Sequence, residues 1–260
     1  QSKGLITEAV IVFQDITALK QLEQQKNEFF AVASHELRTP LTIIMGLAEI
    51  LQMQGTNGAS AKQQYAITSL TRECEHLAGL IHEMLDTSRL NHTPLKMQKS
   101  YQDLLAPLRQ IVSKHAYTAR THRLHLTMEE LEPADLLMGW FDLPRIEQAV
   151  GNLLTNAVKY SSADSEIEVV VHPYRDARGA VQNVLIQVKD QGVGIAAADL
   201  PHIFERFYRA ATLDRSISGF GIGLYLTRAV VQGHGGRIWV ESTEGQGSTF
   251  FVVFPLGETR

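Results

Sequence analysis

Apolar residues recur at Phe30, Ala33, Leu37, Ile44, Leu47 and Leu51, spaced as in a heptad repeat, with Pro40 in one of the seam positions. This rhythm predicts an amphipathic helix with one stripe to bury. The phase continues upstream through Ile16, Leu19, Glu23 and Lys26, and no Gly or Pro interrupts Thr17 to Thr39. A single helix therefore enters the stretch, and its seam is polar at Glu23 and Lys26, as in a weakly apolar coiled coil over 16–28. Pro40 deletes one backbone hydrogen bond and invites a bend. With Phe30 at an a position, His35 falls at f, away from the seam and facing water, and the carboxylate of Glu36 follows it. Packing gives no reason for a histidine there.

Gly55 to Ser60 is a compact breaker-rich loop, and Ser60 is a suitable N-cap for a second helix. In that helix Ile67, Leu70, Cys74, Leu77, Ile81, Met84 and Ser88 alternate in steps of three and four, so Cys74 is expected as a buried thiol on the seam. Two such helices make an antiparallel hairpin over 29–92, and two hairpins pairing as a homodimer would bury the remaining stripe in a four-helix bundle.

Asn91 to Pro94 ends the hairpin, and 93–100 reads as a linker. Beyond it, Tyr101 to Ala119 reads as a helix with Asp103 and Leu104 near its start. Arg123–Met128 and Leu136–Phe141 read as strands, and Asp142-Leu143-Pro144 opens a helix over 143–160. Further strands are expected at Glu166–Val171, Val184–Lys189, Gly236–Ser242 and Thr249–Pro255. Strands and helices without a regular β-α-β alternation indicate an α+β two-layer sandwich over 101–260. The fold class expected is thus an all-α helical hairpin followed by an α+β sandwich. At the other end, Leu5–Phe13 is rich in β-branched residues and reads as a lone strand belonging to a larger upstream unit (1–15).

A formal net charge of −4 gives no basic footprint, which argues against nucleic acid as a partner. One cysteine excludes an intrachain disulfide framework and suits a reducing, cytoplasmic setting. No apolar run approaches the roughly 18 residues that a membrane span needs, so any membrane attachment would lie in a segment outside this chain.

Ser34-His35-Glu36-Leu37-Arg38-Thr39-Pro40-Leu41 resembles the H-box of sensor histidine kinases, the phospho-accepting helix of two-component signalling. Further on, Asn152 and Asn156 are one helical turn apart and Lys159 shares their face. Amide oxygens and a cation suit a Mg²⁺–triphosphate. The segment Asn152 to Tyr160 resembles the N-box of the histidine-kinase and gyrase-type ATPase superfamily.

Asp190-Gln191-Gly192-Val193-Gly194-Ile195 follows an expected strand, where a carboxylate can accept from an adenine amino group and glycines let backbone approach the base. It resembles the G1 box. Gly219-Phe220-Gly221-Ile222-Gly223-Leu224 opens a helix whose free N–H groups favour phosphate, and it resembles the G2 box, with Ile222 in place of the usual Leu. Between them Ile203 to Arg209 resembles the F-box; Phe204 and Phe207 read as packing anchors and Arg206 and Arg209 as partners of the γ-phosphate. Ala210–Ser218 reads as a lid, and Gly245 to Thr249 resembles the last glycine box, with Thr249 as a nucleotide contact.

The resemblance spans residues 16 to 256. It implies autophosphorylation of His35 from Mg²⁺-ATP, with Asn152 and Asn156 as metal ligands and Glu36 taking the imidazole proton. It also implies transfer to an aspartate of a response regulator receiver domain, a reverse phosphatase reaction in which Thr39 positions water, and a PAS-like origin for the first strand. The alternative is an ATP-gated conformational ATPase of the gyrase type, which needs no acceptor histidine on a dimer helix.

Overall fold

In the computed structural model the described residues are 14–53, 61–89, 95–119, 121–131, 136–177, 179–210 and 220–257. The expected strand Leu5–Phe13, the loop Gly55–Ser60, the hairpin terminus Asn91–Pro94, the lid beyond Ala210 and Gly219 lie outside them. In chain order the elements are α1 (Thr17–Met53), α2 (Ala61–Arg89), β1 (Ser100–Asp103), α3 (Leu105–Thr118), β2 (Arg123–Met128), β3 (Met138–Phe141), α4 (Leu143–Tyr160), β4 (Glu166–Arg175), β5 (Val181–Lys189), α5 (Gly223–Gly233), β6 (Arg237–Thr243) and β7 (Gly247–Pro255).

α1 begins where the Asp15 carboxylate accepts the Thr17 N–H at 2.8 Å; the Thr17 hydroxyl first, and this N–H second, lower the Asp15 pKa. The helix runs through Pro40 without interruption, and α2 packs back along it. Ala33 and Pro40 are buried between them, with Leu37, Ile44, Leu47 and Leu51 half-buried, so the expected seam holds from Ala33 onward. At its upstream end it does not. Phe30 is exposed and Phe29 is buried, because Phe29 meets the second lobe.

On α2 the face toward α1 carries Ala66, Ser69, Leu70, Glu73, Leu77, Leu80 and Met84. Ile67, Cys74 and Ile81 form the next stripe round, and all three are exposed in the single chain. The expectation of a buried Cys74 is corrected accordingly. Steps of three and four fit either of two adjacent stripes, and only the neighbouring helix decides between them.

The second lobe has a five-stranded sheet in the order β2-β4-β5-β7-β6, with β2 and β4 parallel and the other pairs antiparallel. β1 pairs antiparallel with β3 in a small second sheet. Residues 101–103 are therefore strand, where the sequence suggested helix. The Asp103 side chain explains the break: one oxygen accepts the Leu137 N–H at 2.8 Å and the other the Ala106 N–H at 3.3 Å, which ties β1 to the β3 segment and starts α3.

α4 turns Ile146, Val150, Leu153, Leu154 and Ala157 into the core against Ile167, Val169 and Val171 of β4, Val184, Ile186 and Val188 of β5, and Phe250, Val252 and Phe254 of β7. This packed layer is the base of the site. No helix among the described residues is long and apolar enough to cross a membrane.

Candidate nucleotide and phospho-acceptor site

α4 is launched by Asp142, whose side chain accepts the Arg145 N–H, with Pro144 in the first turn where a missing N–H costs nothing. The buried stripe of α4 leaves Asn152 and Asn156 half-buried on one side of the core layer. At the helix end the Tyr160 carbonyl accepts the Val193 N–H at 3.1 Å, which stitches α4 to the turn after β5.

That turn is held by Asp190. Its Oδ1 accepts both the Gly192 N–H at 2.8 Å and the Ser248 N–H at 3.1 Å, while its own N–H donates to the Ser248 carbonyl at 2.9 Å. Burial raises the Asp190 pKa, and the two backbone donors pull it partly back. Gly194, at φ +69°, backs directly onto the Thr243 carbonyl, so a side chain there would be both strained and obstructed. Ser242 closes the arrangement: its hydroxyl accepts the Ile195 N–H at 2.9 Å and donates to the Gly247 carbonyl at 2.8 Å.

Ser242 was not among the residues the sequence singled out, and Ser248 lies inside the expected last glycine box without a role of its own there. Thr249, expected as the nucleotide contact, alternates to the other face of β7, beside Lys189 and Glu241. The neighbour that reaches Asp190 is Ser248.

In the 203–209 segment Ile203 is buried and Phe204 stands edge-on to Phe250 in the core. Phe207 sits at φ +67°, and its N–H donates to the Gly221 carbonyl at 2.9 Å. Gly221, itself at φ +66°, packs on the Phe207 and Tyr208 backbone, so the two segments form one surface. The Arg206 guanidinium lies over the Phe207 ring, 4.3 Å from its centroid, and burial lowers its pKa. The Tyr208 phenol donates to Asp199 at 2.6 Å and is pushed up to about 12, by burial first and by Asp199 and Glu205 after it. Lys159 lies over the Tyr160 ring at 4.9 Å, and Arg209 offsets part of the upward shift that burial gives the Tyr160 phenol. Lys159, Tyr160 and Arg209 thus converge at the C-terminal end of α4.

Gly223 opens α5 and Leu224 packs half-buried against the core. Ile222 precedes the helix without a side-chain cap, so the first N–H groups of α5 are not closed off by their own cap residue. The carboxamide oxygens of Asn152 and Asn156 are chemically suited to Mg²⁺, and the uncapped α5 terminus to phosphate oxygens. The residues present fit a magnesium nucleotide.

The glycine-rich loop also touches the hairpin. Phe29 and Ala33 of α1 pack with Phe220, Ile222 and Leu226, flanked by Leu80, Met84, Leu95 and Phe207. The Phe29 ring centroid is 4.4 Å from that of Phe207 and 5.9 Å from that of Phe220. Ala33 stands two residues before His35 in α1. The His35 side chain lies outside the described set; Glu36 is half-buried and Thr39 exposed. The linker is tied in separately, through the Gln98 N–H donating to Asp142 Oδ2 at 2.7 Å and the Asp142 N–H to His234 Nε2 at 3.0 Å.

Residues 25–93 match the family "His Kinase A (phospho-acceptor) domain", and residues 141–258 the family "Histidine kinase-, DNA gyrase B-, and HSP90-like ATPase". Sensor protein kinase WalK of Staphylococcus aureus is 32% identical over 257 residues, covering 98% of this chain and 60% of that protein. WalK of Staphylococcus saprophyticus is 32% identical over 258 residues, covering 98% of this chain and 40% of its own length. The chain therefore spans about half the length of these relatives.

Two solved structures share the fold. Full-length ShkA in complex with AMPPNP gives a TM-score of 0.56 at 24% identity, over 91% of this chain and 47% of that one. The Acinetobacter baumannii histidine kinase AdeS gives 0.54 at 22%, over 86% and 98%. A domain of the His Kinase A (phospho-acceptor) family and one of the histidine kinase-, DNA gyrase B- and HSP90-like ATPase family follow one another on one chain, which aligns with sensor protein kinases through both.

Proposed function

We propose that this chain is the kinase core of a two-component sensor, which phosphorylates His35 from Mg²⁺-ATP and passes the phosphoryl group to an aspartate of a response regulator receiver domain. The observation that carries the reading is the seating of the glycine-rich loop on α1 beside the turn that contains His35.

In this mechanism Asp190 Oδ2 accepts from the adenine amino group, its other oxygen being engaged by Gly192 and Ser248. The α5 terminus holds the phosphates, with Lys159, Arg206 and Arg209 as the cations around them. Asn152 and Asn156 would hold Mg²⁺, which would supply neutralisation of phosphate charge there. The His35 ring nitrogen forms the new bond to the γ-phosphorus as the bond to the bridging oxygen breaks and ADP leaves. Glu36 takes the proton from the other ring nitrogen, whose acidity rises as the phosphorylated ring gains positive charge. Thr39, exposed one turn on, positions water for the reverse phosphatase reaction.

The active unit is a homodimer through the hairpin. Phe30, Leu41, Ile43, Met45 and Ile50 on α1 and Ile67, Ile81 and Leu85 on α2 are exposed large apolar residues, more than a lone hairpin keeps in water.

Incubation with γ-labelled ATP tests the reading. The expected product is an acid-labile, alkali-stable phosphoprotein, and His35→Gln removes the label while ATP still binds. Label that survives acid would point to hydroxyl chemistry and contradict it.

A further inference from the structure

The Asn152 carboxamide has two chemically opposite ends, an oxygen that accepts and a nitrogen that donates. Which end faces the start of α5 decides whether Asn152 offers a cation a ligand or a repelling N–H. Thr227 is buried in α5 at 1% exposure, with its hydroxyl against this carboxamide. Its hydroxyl donates to the Gly223 carbonyl, one turn back, at 2.9 Å. With its single hydrogen used, Oγ1 is left to accept, and Asn152 Nδ2 donates to it at 2.9 Å. The nitrogen is thereby held on α5. The oxygen lies nearest Gly223, where a Cβ would overlap Oδ1 before any other atom of the group.

We propose that Thr227 is a positioning residue, which fixes the Asn152 carboxamide with its oxygen toward the magnesium–triphosphate. This rests on the nucleotide-site reading above. Thr227 touches neither nucleotide nor metal in it; it acts through Asn152. The same geometry explains why residue 223 is glycine independently of backbone freedom, since the Asn152 amide occupies the space of a side chain. Without the hydroxyl the amide is free to turn over and present N–H groups to the cation.

The test measures ATP binding by calorimetry with Mg²⁺ and with chelator, for the wild type, Thr227→Val and Thr227→Ser, alongside thermal unfolding. Valine keeps the shape and removes the hydroxyl; serine keeps the hydroxyl. The expected result is that Thr227→Val loses roughly tenfold of the affinity gained from Mg²⁺, as one lost hydrogen bond would give, with metal-free affinity unchanged. Thr227→Ser restores the gain. A Thr227→Val protein with the full magnesium gain overturns the inference, and so does a Thr227→Ser protein that fails like valine. If the valine variant does not fold, NMR of the wild type decides: one Asn152 Nδ2 proton should be protected from exchange and close to the Thr227 methyl, and an exchanging, distant pair contradicts the assignment. A wild type with no magnesium gain would instead overturn the nucleotide site itself, and this inference with it.

Discussion

Asp190 is under two opposing demands. Catalysis on this account needs an ionised carboxylate beside the base, yet burial favours the neutral acid and raises its pKa above the ordinary 3.8. The folded state therefore holds the Asp190 proton more tightly than the unfolded chain does. As pH rises through and above the carboxylate range, ionising this group costs folded-state stability. Asp190→Asn removes the cost, so chemical denaturation should find the variant more stable than the wild type at neutral pH, with the difference shrinking toward acid. Its ATP affinity should fall by about tenfold or more, the loss expected for a hydrogen bond to a charged acceptor. A variant that is both less stable at neutral pH and unimpaired in binding would contradict the role given to Asp190. Asp190 and the two asparagines were legible in the sequence because their chemistry lies in local spacing. Ser242, Ser248 and Thr227 were not, because each acts across elements: Ser248 on Asp190, Ser242 on the Ile195 N–H, Thr227 on a helix 75 residues away in the chain.

Among the elements, α4 is the one whose bounds and buried face follow most directly from sequence, since Asp142 and Pro144 mark its start and its apolar stripe is continuous. β1 is the opposite case. Its four residues owe their conformation to β3, more than thirty residues on, and no local propensity announces such a pairing. α1 combines the two situations. Its heptad seam is readable, but Phe29, one step off the seam, is buried by the glycine-rich loop of the other lobe. Phe29→Ala removes the ring that packs tilted against Phe207 and edge-on to Phe220, and should loosen the loop from the hairpin while leaving the core layer intact. Hydrogen exchange measures this: amides of 220–226 should exchange faster in the variant and those of β4 and β5 at the wild-type rate. Unchanged protection at 220–226 would show that the contact does not restrain the loop.

At the scale of the whole molecule, the chain joins an apolar-striped hairpin to an ATPase lobe, and the exposed stripe makes self-association the expected state. Sedimentation should give a dimer, and Ile81→Glu with Leu85→Lys, both on the exposed side of α2, should give a monomer of unchanged helix content. A monomeric wild type would remove the bundle from the account. That the lobe is an α+β sandwich, and the hairpin a pair of long helices, could be read from periodicity alone; which stripe of α2 meets α1 and which stays open could not, because Ile67, Cys74 and Ile81 differ from the inner face by one step of helix rotation. The central claim concerns a single imidazole, and phosphosite mapping tests it most directly. After incubation with Mg²⁺-ATP and digestion at neutral pH, mass spectrometry of the tryptic peptide Asn27–Arg38 should place one phosphoryl group on His35, its only histidine. Phosphate on Ser34, or none anywhere in this peptide, would contradict the account.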